Sequence, residues 1–208
     1  SDLITSLRII GANPTTTIVN GMGSGTVFDI DGTHVEISGL TIRNSGNNYN
    51  VIASEKPGPS PSNDYHIFKN NIIEKGAYGI SLSLSNQNTI YNNTFNDTPI
   101  GGISLNSATS TNITGNTIKD SIHGIKLYNS GTNTIAANKI TQTTYAIHIS
   151  GTTSTGNTIK DNMLAGRTAG MYTGSDTTTI ERNEIIDGSA GIYMQGKTAT
   201  INYNIIKN

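Results

Sequence analysis

The chain has 208 residues, of which 34% are hydrophobic, so it is long enough to bury a sizeable core. Only 13% of the residues are charged and the formal net charge is -1, which argues against nucleic acid or an anionic membrane surface as a partner. The sequence has no cysteine, which excludes disulfides and thiolate metal sites. No apolar run reaches the roughly 18 residues of a membrane-spanning segment, so we expect no membrane insertion.

The first 44 residues contain two degenerate strand and turn repeats. Residues 7–11 read as an apolar strand, residues 12–17 are rich in turn formers, and residues 18–21 read as the next strand. Residues 37–42 carry the same frame as the later repeats, with Leu40 where those repeats place asparagine. Degenerate N-terminal coils are therefore predicted over residues 1–44.

An insertion follows at residues 54–66. Three prolines, Pro57, Pro59 and Pro61, lie within this segment, and each removes a backbone donor that a strand interior needs. The sequence predicts an inserted loop over 54–66 and regular repeats over 67–208.

The regular repeats share one motif, an apolar residue followed by asparagine three positions later and a second apolar residue two positions after that. Its occurrences are Ile67/Asn70/Ile72, Ile90/Asn93/Phe95, Ile113/Asn116/Ile118, Ile135/Asn138/Ile140, Ile159/Asn162/Leu164, Ile180/Asn183/Ile185 and Ile201/Asn204/Ile206. A second phrase of the type Gly102-Ile103-Ser104-Leu105 follows most of them. Apolar and polar residues alternate with the period of a strand, and helical spacing is absent. A repeat of short strands with no crossover helix predicts a coil of about three strands that stacks on its neighbours. Stacked corner asparagines can hydrogen-bond from coil to coil, which predicts an asparagine ladder.

The sequence also resembles a known superfamily. The segments LRIIGANPTTTIVNG (residues 7–21) and VEISGLTI (residues 35–42) are similar to the start of the β-helix of the pectin-lyase-like superfamily. The asparagine motif and the Gly-Ile phrases resemble its NosD-like branch, which is common in large surface proteins of methanogenic archaea. The resemblance implies an all-β fold, a right-handed parallel β-helix of about nine coils with three short strands per coil. It leaves the chemistry open, because the superfamily includes polysaccharide lyases, glycoside hydrolases, epimerases, phage tailspikes and non-catalytic surface modules.

Outward residues at the same repeat position lie about 4.8 Å apart in such a stack, so they form columns. Two neighbouring columns become basic and aromatic in the C-terminal half. Tyrosine rings stack on sugar rings, while hydroxyl, lysine and histidine groups hydrogen-bond to them, so these columns predict a glycan-binding surface. The alternative is that tyrosine and histidine simply suit exposed strands. The candidate ligand-binding residues are Lys126, Tyr128, His148, Tyr172 and Tyr193.

A further column contains acidic residues just past the ladder. Glu74, Asp97 and Asp120 align in three successive coils, where close carboxylates disfavour one another unless a cation lies between them. Carboxylate oxygens suit Ca²⁺, so these residues are a candidate calcium site. The alternative is a set of solvated turn positions whose charge is offset by Lys75 and Lys119.

The same region suggests a catalytic cleft. Asp120, His123, Tyr145 and His148 can converge if the chain turns between them. β-Elimination on a uronic acid needs a group that neutralises the carboxylate, a base for the C5 proton and an acid for the leaving oxygen. Lys126 or a metal, either histidine, and Tyr145 fit those roles. The acidic pairs and the Arg or Lys motifs of the superfamily's lyases and polygalacturonases are not matched.

Three functions are compatible with these observations. The leading hypothesis is an extracellular β-helix module, one domain over residues 1–208 of a longer cell-surface protein, that binds glycan or envelope components without a required cofactor. The alternative is a lyase or hydrolase that acts on an acidic polysaccharide. A third hypothesis is a structural module that self-associates through its coil ends, where unpaired strand edges are exposed.

Overall fold

The structure is a computed structural model that describes residues 6–55 and 64–207. Its regular elements are 23 strands. The described residues contain no helix, and so none that is long and apolar enough to cross a membrane.

Each turn of the chain passes through three faces, named a, b and c in chain order. Face a is a nine-stranded sheet of β1 (Leu7–Ile10), β4 (Val35–Ser38), β7 (Ile67–Lys69), β10 (Thr89–Tyr91), β13 (Asn112–Thr114), β15 (Thr134–Ala136), β17 (Thr158–Lys160), β19 (Thr178–Glu181) and β22 (Ala199–Asn202). Face b contains β2 (Ile18–Asn20), β5 (Thr41–Arg43), β8 (Ile72–Glu74), β11 (Thr94–Asn96), β20 (Glu184–Ile186) and β23 (Ile205–Lys207). Face c contains β3 (Phe28–Asp29), β6 (Ile52–Glu55), β9 (Tyr78–Ser83), β12 (Gly101–Asn106) and β21 (Ala190–Met194).

Three long strands pass from face b into face c without a break. They are β14 (Thr117–Tyr128), β16 (Lys139–Ser150) and β18 (Met163–Thr173). Ser121 still pairs with Thr143 at the bend. One turn earlier, β11 and β12 remain separate, and the corner between them contains Pro99, which has no N–H to donate. The prediction of three short strands per coil therefore holds for the early turns, and two of the three strands merge in the middle ones.

All strand pairs are parallel and connect one turn to the next. Ile113, for example, pairs with Ile90 on one side and with Ile135 on the other. The crossover connection between two parallel strands of one sheet is right-handed in nearly all proteins. The predicted right-handed parallel β-helix is confirmed, with about eight turns between the first and last strands of the nine-stranded sheet.

Columns of like residues fill the interior, as predicted. Two columns are completely buried, one of Ile90, Ile113, Ile135, Ile159 and Ile180 and one of Ile80, Ile103, Ile125, Ile147 and Met171. Full burial of such a side chain contributes roughly 1.5–3 kcal/mol. Ile201 continues the first column but is 44% exposed, because β22 is the last strand of its sheet. Self-association through the coil ends stays a prediction.

An asparagine ladder runs along the corner between faces a and b. The backbone N–H and the side-chain amide of Asn116 both donate to Oδ1 of Asn138, at 2.9 and 3.0 Å. The same amide also donates to the carbonyl of Ile90 at 2.9 Å. The ladder consists of Asn71, Asn93, Asn116, Asn138, Asn162, Asn183 and Asn204.

The first rung departs from the predicted frame by one residue. Phe68, not Ile67, pairs with Ile90, and Asn71 takes the buried ladder position that was predicted for Asn70. Residues 67–73 read Ile-Phe-Lys-Asn-Asn-Ile-Ile, which fits the motif in two frames. The observed frame buries Phe68, one of the largest core side chains.

The predicted insertion begins later than expected. Ser54 and Glu55 belong to β6 and pair with β9, so they are strand residues. Residues 56–63, including the three prolines, lie outside the described residues. Asp64 and His66 are buried.

His66 replaces asparagine in a second row of corner hydrogen bonds, between faces c and a. Its Nδ1 accepts a hydrogen bond from the N–H of Val35 at 3.2 Å, and its own N–H donates to Asn88 Oδ1 at 2.9 Å. Nε2 lies 3.3 Å from Ser54 Oγ. Burial lowers the pKa of His66 to about 4, with Asp64 acting in the opposite direction and His34 in the same direction. The imidazole is therefore uncharged when the protein is folded at neutral pH.

His66→Asn should reduce the dependence of stability on pH. The pKa of His66 is about 4 in the folded protein and 6.5 as its ordinary value. The contribution of uncharged His66 to the stability of the folded protein is therefore fully present above about pH 6.5 and is lost as the pH falls toward about 4. Asparagine keeps an acceptor for Val35 but does not titrate. Urea unfolding from pH 7 to 4 should show wild type losing up to about 3 kcal/mol more than the variant. Parallel pH curves would contradict this role for His66.

Candidate functional site

Face c carries a row of ring-bearing side chains on its outer surface. Side chains alternate inward and outward along each strand, so Ile125 and Leu127 enter the core while Lys126 points out. Lys126 pairs with His148, His148 with Tyr172 and Tyr172 with Tyr193. In the adjoining column His123 pairs with Tyr145. The aromatic strip is defined here as His123, Lys126, Tyr145, His148, Tyr172 and Tyr193.

The rings of the strip touch one another from turn to turn. His123 stacks on Tyr145 with centroids 5.6 Å apart and planes 17° apart. His148 lies 4.9 Å from His123 and meets Tyr172 edge-on at 4.7 Å. Tyr172 in turn stacks on Tyr193 at 5.3 Å and 13°. The contacts form one continuous aromatic surface along the helix axis.

Hydrogen bonds fix the C-terminal end of the strip. The Tyr172 hydroxyl donates to Gln195 Oε1 at 2.7 Å. The amide of Gln195 donates to the Tyr193 hydroxyl at 3.4 Å. Tyr193 is 47% exposed, so one part of its ring is available to a ligand. The two tyrosine rings are thus held in place before any ligand binds.

The two histidines form a coupled pair. His148 Nδ1 and His123 Nδ1 are 3.3 Å apart, so one ring donates a hydrogen bond and the other accepts it. Burial lowers the pKa of His123 to about 4, and the charges of His148 and Lys126 act in the same direction. Burial and then Lys126 also lower the pKa of His148. Both imidazoles are therefore uncharged at neutral pH, and Lys126 is the positive charge of the strip.

Three of the four predicted catalytic residues come together, and Asp120 does not join them. His123, Tyr145 and His148 are in mutual ring contact. Asp120 sits at the corner between faces b and c, exposed, with Lys119 Nζ 3.9 Å from its carboxylate. Across the described residues it makes no hydrogen bond or ion pair with the other three.

The predicted ligand-binding residues also divide. Lys126, His148, Tyr172 and Tyr193 share one column. Tyr128 pairs with Asn106 and Ser150 in the next column, is 48% exposed, and makes no ring contact with the strip within the described residues. It lies beside the strip rather than in it.

The acidic column is not aligned as predicted. Glu74 pairs with Asn96, one position before Asp97, so Lys75 is the neighbour of Asp97 at the corner. The cause is the same one-residue shift that moves the first rung of the ladder. Among the described residues, no group of three or more His, Cys, Asp or Glu side chains could hold a metal ion. Calcium binding by Glu74, Asp97 and Asp120 stays a prediction without an assembled site.

Sequence reasoning missed Tyr78, which extends the strip toward the N-terminus. Tyr78 pairs with Gly101, and Gly101 pairs with His123. A side chain at Gly101 would collide with the Tyr78 ring, so the glycine leaves room for that ring to lie over the next turn. Burial raises the pKa of Tyr78, while a hydrogen bond with Ser104 acts in the opposite direction. The sequence signal for this arrangement was Gly101, because the next two turns carry the rings of His123 and Tyr145 at the same position.

Stacked turns of parallel strands with a row of half-buried rings on the outer surface are the features of a parallel β-helix protein with an aromatic face. Residues 5–166 match the family model described as periplasmic copper-binding protein (NosD). The chain therefore belongs to the NosD family, as the asparagine motif suggested.

Two solved structures of known proteins are similar to the chain. One is a mutant of the periplasmic alginate epimerase AlgG, with a TM-score of 0.63 and 17% identity over 85% of this chain and 46% of that chain. The other is the A-module of the mannuronan C-5 epimerase AlgE6 from Azotobacter vinelandii, with a TM-score of 0.41 and 12% identity over 96% of this chain and 83% of that chain. The first likeness shows the fold alone, and the chain spans less than half of the AlgG chain. No curated protein matches the sequence.

The family description raises the question of copper. Protein copper sites combine imidazole with thiolate or thioether ligands, or use several nitrogen and oxygen ligands. The chain has no cysteine. In the described ranges the nearest arrangement is the His123 and His148 pair, which supplies only two imidazole ligands. These residues do not fit a copper site of ordinary ligand number, and the chemistry proposed for the strip involves no metal.

Proposed function

We propose that the chain is a glycan-binding module of the cell envelope and that the aromatic strip is its binding surface. The observation that carries the proposal is the unbroken contact of rings from His123 to Tyr193, held by strand pairing and by Gln195. Sugar rings present C–H faces that pack on aromatic rings and hydroxyls that hydrogen-bond at the edge of the ring. A rigid row of rings suits an extended ligand that lies along the helix axis.

The charge of the strip favours an acidic glycan. Lys126 is its cation, and the six residues of the strip include no carboxylate. Because His123 and His148 are uncharged at neutral pH, they act as hydrogen-bonding groups and leave Lys126 to pair with a carboxylate of the ligand.

Two descriptions support a location in the envelope or outside the cell. Both the NosD family and AlgG are described as periplasmic. Display on the cell surface is the more specific form of this proposal. A glycan-binding surface is useful in either compartment.

Tyr172→Ala combined with Tyr193→Ala should weaken binding of uronic acid oligosaccharides. Loss of two ring faces, at about 1 kcal/mol each, corresponds to a roughly 30-fold increase in Kd. Isothermal titration calorimetry would measure it. Tyr91→Ala, which removes an outward tyrosine from face a, is the matched control and should bind like wild type. Equal affinities for all three proteins would rule out the strip as the site.

A second candidate function is β-elimination on a polyuronate, which the uncharged histidine pair beside Tyr145 favours. A histidine nitrogen would take the C5 proton, and the electron pair left behind would form the C4–C5 double bond as the C4–O bond breaks. Tyr145 would give its proton to the departing oxygen, and Lys126 would stabilise the carboxylate. Hydrolysis by water is the other outcome for the same substrate.

Uronate polymers incubated with the protein would separate these outcomes. Elimination gives unsaturated ends that absorb in the ultraviolet, and hydrolysis gives new reducing ends without that absorbance. If His123 is the base, the activity should persist at pH 5 to 6, fall as the pH approaches about 4, and disappear in His123→Gln. A protein that binds the polymer and forms neither product is a binding module and not a lyase or hydrolase.

A further inference from the structure

A cavity separate from the aromatic strip lies at the corners between faces b and c in the early turns. It encloses about 660 Å³, and none of the strip residues lines it. The residues that matter for its chemistry are Met22, Asn44, Asn47, Lys75, Asp97 and Pro99.

Unequal corner lengths create this cavity. In the second turn the corner runs from the end of β5 at Arg43 to the start of β6 at Ile52, while in the third it runs only from Glu74 to Tyr78. The longer corner folds back on itself, with the N–H of Tyr49 donating to the carbonyl of Gly46 at 2.8 Å. Its residues Asn44 and Asn47 form one wall of the cavity.

The other wall contains Lys75 and Asp97, which carry opposite charges. The N–H of Lys75 donates to the carbonyl of Asp97 at 3.0 Å, which places the two residues on adjoining turns. Both have the left-handed backbone, with φ of 56° and 53°. Over the described ranges neither side chain forms an ion pair, so both remain available to a ligand.

Amides and apolar atoms complete the lining. Asn44 Nδ2 donates to Asn20 Oδ1 at 3.0 Å, which leaves the Asn44 side-chain oxygen as an acceptor. The amide of Asn47 has no hydrogen-bond partner in the described part of the chain. Met22 is 81% exposed, and Pro99 adds a second apolar surface.

We infer that this corner cavity binds a neutral saccharide. The lysine and aspartate charges cancel, so the lining favours neither an anion nor a cation, yet they supply strong donors and acceptors for hydroxyl groups. Asn44 and Asn47 add amide hydrogen bonds, and Met22 and Pro99 offer contact to the C–H face of a sugar ring. The inference takes its ligand class from the proposed function but differs in site and in ligand charge.

Amide chemical shifts of ¹⁵N-labelled protein would locate binding directly. Titration with neutral gluco- and manno-oligosaccharides should shift the amides of Gly23, Asn47 and Gly76, whereas uronate oligosaccharides should shift those of His148, Tyr172 and Tyr193. Shifts confined to the strip would overturn the corner site and leave the proposed function intact. Shifts confined to the corner would support the corner site and overturn the strip. The absence of shifts with both ligand sets would overturn both.

Asp97→Asn and Lys75→Asn test the named groups. Asparagine tolerates the left-handed backbone, so each variant removes one charge while the fold is kept. Each should weaken neutral oligosaccharide binding at least tenfold. Asp187→Asn is the matched control, because Asp187 is an exposed corner residue with φ of 56° outside the cavity. Equal affinity in Asp97→Asn and Asp187→Asn would overturn the inference.

Discussion

Hydrogen bonds between corner asparagines connect the turns of this β-helix from Asn71 to Asn204. Each rung satisfies the backbone and side-chain groups of a tight, buried corner and ties one turn to the next. Side chains on a strand alternate between core and solvent, so a slip of one residue between turns would exchange the two faces. The ladder fixes that register independently of the apolar columns.

A fixed register turns distant residues into neighbours. Lys126, His148 and Tyr172 lie more than twenty residues apart in sequence yet occupy adjacent positions on one surface. The strip therefore requires no dedicated loop and no shared motif. Function is expected where the repeats differ in sequence, since the early turns carry Ser81 and Ser104 in the same column.

The fold could be read from the sequence because its determinants repeat. The isoleucine columns, the ladder and the parallel coil all follow from one short motif, and chance cannot reproduce it so often. The errors arose where the motif was ambiguous or replaced. The adjacent asparagines Asn70 and Asn71 fit two frames, and the observed frame shifts Asn70 and Glu74 by one residue from their expected positions. His66 lies at the edge of the predicted loop, and nothing in its local sequence shows that an imidazole takes the place of an asparagine.

The site was only partly predictable for a related reason. Columns follow from the repeat, so His123, Tyr145 and His148 could be placed together. Corners do not follow from it, because their length and path vary from turn to turn. The separation of Asp120 from the three rings and the corner cavity beside Lys75 and Asp97 therefore could not be predicted.

If the ladder holds the turns in register, loss of the Asn138 side chain should destabilise the whole β-helix. That side chain donates to Ile113, Ala136 and Asn162 and accepts from Asn116. Asn112 lies on an outward position of β13, exposed, with no side-chain hydrogen bond among the described residues. The measurement is the free energy of unfolding in urea for Asn138→Ala and Asn112→Ala. We expect a loss of about 2–4 kcal/mol for the first and less than about 0.5 kcal/mol for the second. Equal losses would contradict this role for the ladder.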